Sequence, residues 1–215
     1  MMSRPACLAK ACGPLPCMGQ GSGMGKGRLE AFSDGVLAII ITIMVLELKV
    51  PHGSGWEVLA AQWPVFLSYV LSFVYVGIYW NNHHHFLHAA ERVNGAALWA
   101  NLYLLFWLSL MPVTTGWMGE NAFAALPVAV YGFVLLMCAL AWQPFQRSLI
   151  AANGGRDSLL AQAVGADWKG WLAAAMYLSG ILLAFVAPWV SCLFYATVAA
   201  IWFIPDRRIE SRIKR

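Results

Sequence analysis

Charge is what this chain has least of. Only 11% of its 215 residues are Asp, Glu, Lys or Arg, while 60% are hydrophobic. Soluble domains carry about 25% charged residues, and one of this size could not cover so much apolar surface with so few charges. A disordered chain is excluded as well, because 11 Trp and 11 Phe are far too many for one. Paired cysteine motifs are also missing. Cys7, Cys12, Cys17, Cys138 and Cys192 contain no C-x-x-C pair, which excludes both a zinc site of that type and a disulfide framework. The net charge is +4, but no basic block alternates with stacking aromatics in a polar setting, so no nucleic-acid partner is expected. What remains is an integral membrane protein whose principal partner is the lipid bilayer.

Residues 1–27 are punctuated by Gly and Pro and hold no apolar stretch of the ~7–15 residues that a secretory signal needs. They are expected to form a disordered cytoplasmic leader. Six apolar segments of near-spanning length follow, at about 29–50, 58–81, 96–118, 122–146, 169–187 and 189–205, taking ~20 residues as the requirement. The expected fold is therefore all-α, with six transmembrane helices in one membrane domain over 28–205 and a basic cytoplasmic tail over 206–215. Pro64 and Pro112 fall inside or near the ends of segments, and Pro127 suits a first helical turn, whose N–H groups have no helical partner. Pro188 separates the last two segments so tightly that they must form a helical hairpin. Trp56, Trp63, Trp80, Trp117, Trp168, Trp171, Trp189 and Trp202 stand at segment ends, as interfacial anchors do. No segment recurs, so there is no internal repeat. Region 151–168 reads equally as a loop or as a short amphipathic stretch.

Lys and Arg set the topology. Thirteen of the 14 fall in the leader, the second and fourth connections and the C-terminal tail, and only Lys49 falls on the other side. By the positive-inside rule both termini are cytoplasmic, which agrees with an even number of spans. The expected location is the plasma membrane, as a multi-pass protein.

The first segment carries the unusual residues. Arg28, Glu30, Ser33 and Asp34 crowd its cytoplasmic end, and Asp34 lies about 9 Å beyond Arg28 along a helix. An ionisable group at that depth is expensive and usually has a partner or water. A helix N-terminus stabilised by nearby carboxylates is the alternative, and the residues alone leave both open. Further along, Gly35, Ile39, Thr42 and Leu46 advance by four, three and four, making one narrow stripe. Leu37, Ile40, Ile41, Met44 and Val45 cover the rest of the circumference and suit packing. Periodicity does not separate a pore-lining stripe from a core stripe, and taken alone it favours the core.

The pattern Arg28-x-x-x-Phe32-Ser33-Asp34-Gly35-x-x-Ala38-Ile39 followed by Thr42 resembles the signature opening the first helix of the transmembrane protein 175 family of potassium channels. The resemblance extends to Tyr79-Trp80-Asn81-Asn82-His83-His84, to Asn101 and to Leu110-Met111-Pro112, and covers about residues 26–205. It implies a passive potassium channel with modest preference for K+ over Na+, without cofactor or covalent chemistry, assembled as a homotetramer with the first helix of each unit lining the pore. Ile39 is then the tightest hydrophobic ring, with Thr42 and Leu46 on the same path. Arg28, Phe32, Ser33 and Asp34 would knit the helix to Trp80, to His83 or His84, and to Asn101.

Such a pore differs from carbonyl-lined filters, since no Thr-Val-Gly-Tyr-Gly loop is present. An Ile39 collar offers no ligands, so passage depends on width and on how much hydration an ion surrenders. Potassium holds its water less tightly than sodium, and Thr42 hydroxyls can replace part of what is lost. A secondary transporter is the alternative, but it calls for broken helices or paired charges at mid-membrane, and the cores of segments four to six carry no charge. The run His83-His84-His85-x-x-His88 is the rival chemical site, because His84 and His88 share a helix face at metal-ligand spacing. The chain has five histidines, and the fifth, His52, falls on the opposite side, so the expected metal content is none. The histidines fit better in an interfacial hydrogen-bond network. Glu47 lies near the Ile39–Leu46 stripe and reads either as an acidic ring or as a headgroup-level carboxylate beside Lys49.

Overall fold

Residues 25–164 and 167–203 are described by a computed structural model, and every regular element among them is helical. Helix α1 runs Lys26–Leu46 and a short α2 runs Trp56–Ala61, ahead of α3 at Trp63–Ala89. Helix α4 covers Gly95–Ser109, α5 Met111–Glu120 and α6 Ala125–Ala152. A 3-10 turn at Gly155–Asp157 leads to α7, Leu159–Val164, and then α8, Trp168–Leu183, and α9, Pro188–Phe203, follow. Most of the expected leader and all of the expected basic tail lie outside the described residues.

Four stretches are long and apolar enough to cross a membrane: α1, α3, the run Gly95–Glu120 made of α4 and α5, and α6. Helices α8 and α9 have 16 residues each, about 24 Å of helix against a hydrocarbon core of about 30 Å. Among the described residues, four runs therefore reach full spanning length, and α8 and α9 form a hairpin of shorter described helices. Prolines explain the shifted boundaries. The second segment does not start at 58, because Pro64 opens α3 within its first turn, where a missing N–H costs nothing. Pro112 likewise opens α5, so the third segment breaks at Leu110. Pro188 begins α9 rather than standing between helices. Region 151–168 resolves into the 3-10 turn and the six-residue α7.

Helix α6 is the centre of the subunit and packs on α4, α5, α8 and α9. Helix α1 packs on α3, α4 and α5 through Leu29, Ser33, Leu37, Ile40 and Met44, all buried and spaced by four, four, three and four. Lipid tails are as apolar as these side chains, so packing and hydrogen bonds between helices have to hold the bundle. Ser72 of α3 bonds both Thr115 of α5 (2.6 Å) and Tyr131 of α6 (3.0 Å). The Tyr75 hydroxyl of α3 donates to the Tyr195 carbonyl of α9 at 2.6 Å. Small residues provide the close approaches. A Cβ at Gly132 or Gly180 would collide with the Tyr195 ring, and one at Gly119 would collide with Ser68 and the Val65 backbone. The outer faces of α3, α8 and α9 expose Phe66, Val70, Phe73, Leu182 and Leu193, as lipid-facing helices do.

Candidate functional site

Helices α1 and α3 run antiparallel and meet on a repeat of four. The Lys26 ammonium donates to the His88 carbonyl (3.0 Å), Glu30 pairs with His84 Nδ1 (3.1 Å), and the Trp80 indole donates to Asp34 Oδ1 (3.1 Å). Each step of four along α1 meets a step of four backward along α3, because residues four apart share a helix face. The α3 side is itself a column. Trp80 stacks on His84 at 6.0 Å and His84 on His88 at 6.1 Å, both pairs 20° from parallel.

Behind this seam lies a buried chain. The His83 Nε2 proton goes to Asn101 Oδ1 (2.8 Å), the Asn101 amide donates to Ser33 Oγ (2.9 Å), and Ser33 donates to the Leu29 carbonyl (2.9 Å). Donation runs one way, from α3 through α4 into α1. His83 also lies flat against Phe145 of α6, with centroids 5.0 Å apart and planes 6° apart. Its Nδ1 is buried without a partner, which fits an unprotonated nitrogen, since a second buried N–H would lack an acceptor.

The residues expected to form one network are thus divided. Ser33, Asn101 and His83 form the buried chain, Asp34 and Trp80 form an outer contact, and His84 joins through Glu30. Both histidines take part, each with a different partner. Arg28 and Phe32 stand apart. Phe32 is 53% exposed, and Arg28 is exposed with no partner within the subunit among the described residues. Lys26, Glu30 and Phe145 were missed as members. The four-residue spacing of Lys26, Glu30 and Asp34 was the available signal, but it means something only once α3 is known to lie alongside in register.

The stripe Gly35, Ile39, Thr42 and Leu46 faces away from the rest of the subunit. Ile39 is 58% and Leu46 80% exposed, and Gly35 and Thr42 are exposed too. The Thr42 hydroxyl donates to the Ile39 carbonyl at 2.9 Å, so its lone pairs are left pointing off the helix. Of the residues expected to pack around the stripe, Leu37, Ile40 and Met44 do so, Ile41 is half-buried and Val45 is largely exposed. Glu47 leans over Gly116 of α5, 3.4 Å from where a Cβ there would sit. Lys49 pairs with Glu120 at 2.5 Å rather than with Glu47, and that carboxylate raises the ammonium above its usual range. Among the described residues no three His, Cys, Asp or Glu side chains are grouped to hold a metal ion, and His84 and His88 stack face to face instead of converging.

Comparison with known proteins gives this arrangement a family. The family model described as "Endosomal/lysosomal potassium channel TMEM175" matches residues 28–112, the stretch that holds nearly all of α1, with α3 and α4, and the contacts of Glu30, Ser33 and Asp34 with His84, Asn101 and Trp80. A protein named potassium channel from Chryseobacterium sp. (strain P1-3) is 54% identical over 191 residues, covering 89% of this chain and 99% of that one. The human protein named endosomal/lysosomal proton channel TMEM175 is 30% identical over 187 residues, which are 76% of this chain and 36% of the human one. Among solved structures, the crystal structure titled as a lysosomal potassium-selective channel TMEM175 homolog from Chamaesiphon minutus superposes with a TM-score of 0.69 at 29% identity, covering 83% of this chain and 96% of that one. From the motif of its first helix to its full-length bacterial relatives, the chain belongs to the TMEM175 family of ion channels and is not an enzyme.

Proposed function

We propose that four copies of this chain surround a common axis in the plasma membrane, with α1 innermost, and pass potassium ions. One observation carries this reading. On the helix that bears the family motif, the edge made of Gly35, Ile39, Thr42 and Leu46 is left uncovered by every other helix among the described residues. The opposite edge is packed, and the seam with α3 fixes which edge is which. Four such edges form a collar at Ile39 that an ion crosses only by giving up water. Thr42, one turn farther along, presents hydroxyl oxygens whose own hydrogens are already engaged. Hydrophobic constrictions discriminate through dehydration and width, so K+ passes more readily than Na+, by a modest factor. The names of the bacterial relatives and of the solved structure agree with this ion. No His, Asp or Glu lies on the stripe, so a proton crossing it would have to travel on water alone. In this reading both termini face the cytoplasm, and the buried Ser33–Asn101–His83 chain holds α1 in position without touching the ion.

The test is a bilayer recording of purified protein under opposed K+ and Na+. Ile39→Asn is expected to raise conductance severalfold and bring the permeability ratio toward one. Unchanged currents would remove Ile39 from the pore. Ohmic currents support a channel, whereas the transporter alternative moves solute slowly and saturably.

A further inference from the structure

A second polar constellation lies away from α1, in a cavity of about 40 Å3 enclosed by α3, α6, α8 and α9. Asp167 supplies its one carboxylate. That group folds back over the start of α8, where Oδ1 accepts from the Gly170 N–H (3.1 Å) and Oδ2 from the Gln143 amide (2.5 Å). Gly170 is required for this pose, since a Cβ there would sit 2.6–2.9 Å from the carboxylate atoms. A carboxylate offers about four lone-pair directions, so two remain open. The Asn82 amide and the Tyr79 hydroxyl also line the cavity and make no hydrogen bond among the described residues. The remaining walls are aromatic. Trp142 meets Tyr79 edge-on at 6.2 Å, and Trp202, expected as an interfacial anchor, turns inward to close one side.

We propose that this cavity binds a primary ammonium group, carried either by a small alkylamine or by the ethanolamine headgroup of a lipid. The charge calls for a cation. Three unfilled acceptors, on Asp167, Asn82 and Tyr79, match the three N–H donors of an ammonium. Trp142 and Tyr79 line the same space, and aromatic rings attract a cation at short range. Size selects among cations, because about 10–15 Å3 of such space holds one water, so the cavity takes about three; a methylene-ammonium head is roughly two waters in bulk, whereas a trimethylated head is more than twice that. Trp168 and Trp171, next to Asp167 and Gly170 in the chain and exposed at 58% and 64%, mark the level of the headgroups, where both sources are within reach. The site belongs to a single subunit and stands separately from the pore.

The experiment uses the full-length protein in a neutral detergent. Equilibrium binding of ethylamine and of lysophosphatidylethanolamine is measured, with tetramethylammonium and the N-acetylated lysolipid as controls. At least one amine is expected to bind once per chain, and neither control is expected to compete. Asp167→Asn should weaken binding at least tenfold while keeping the start of α8, since Asn caps a helix as well as Asp. Ala173→Leu, which fills a buried wall of the cavity, should do the same. Binding of ethylamine alone identifies a free-amine site, and binding of the lysolipid alone identifies a headgroup site. If Ala173→Leu does not fold, Asp167→Asn carries the test, with its melting temperature as the check. Absence of binding by either amine at millimolar concentration, indifference to Asp167→Asn, or one amine per four chains would overturn the assignment.

Discussion

Among the described residues, Asn101 of α4 is the only side chain from another helix that bonds to both α1 and α3, and it uses both ends of its amide to do so. Asn101→Leu leaves the His83 Nε2–H buried without an acceptor, which costs about 1–3 kcal/mol, and the melting temperature in detergent is expected to fall by several degrees. Adding His83→Phe removes the stranded donor and should recover most of the loss, because replacing both partners by apolar groups is nearly neutral. A double variant no better than the single one would show that the loss came from packing. Most members of this network were legible in the sequence, since Ser33, Asp34, Trp80, His83, His84 and Asn101 stand in a recognisable motif. Their pairings were not. Whether His83 or His84 reaches Asn101 depends on the rotation of α3, and three consecutive histidines leave that open. Glu30 was visible as a charge but not as the partner of His84, because the α1–α3 register is a tertiary fact.

Helices α6, α8 and α9 meet around one aromatic ring. Tyr195 fits between Gly132 and Gly180, and its hydroxyl reaches the Val128 carbonyl at 3.4 Å. Gly132→Ala drives a methyl group into that ring, and overpacking of this kind costs about 1–3 kcal/mol. A lowered melting temperature with α1 contacts intact is the expected outcome, read by thermal unfolding alongside the potassium flux of the folded fraction. At the α3–α4 corner, Asn153 accepts from the backbone N–H groups of Glu91 and Arg92 and donates to the carbonyls of Arg92 and Leu149. Asn153→Ala strips that corner of three bonds and should loosen it, seen as faster amide exchange at Glu91 and Arg92. The helices themselves were legible because long apolar runs in a membrane have almost no other solution. Their ends were less so, since Pro64, Pro112 and Pro188 open helices here, and a proline in an apolar run does not announce which side of it the helix takes. The inward turn of Trp202 was hidden for a related reason, as a tryptophan at a segment end reads as an anchor until its neighbours are known.

The subunit leaves a second apolar edge bare besides its lipid-facing surfaces, and that edge belongs to α1. Phe32, Ile39 and Leu46 are all more than half exposed. In the proposed assembly they are covered or face the axis, so native mass spectrometry of the purified protein should show about four times 23.6 kDa. A stable single-chain mass under conditions that support potassium flux would contradict that assembly. The bonds that other helices make to α1 end at Asp34, and the next link is the Lys49–Glu120 pair beyond its last turn. Between them lie about three turns seated on Leu37, Ile40 and Met44, with Val36 and Ile41 half-buried beside them. In mechanical terms α1 is a beam pinned near both ends, with its compliance concentrated at mid-length, and in the proposed assembly the Ile39 ring rides on that pliant stretch. Trimming Leu37 or Met44 from behind therefore alters the bore while every pin stays fastened.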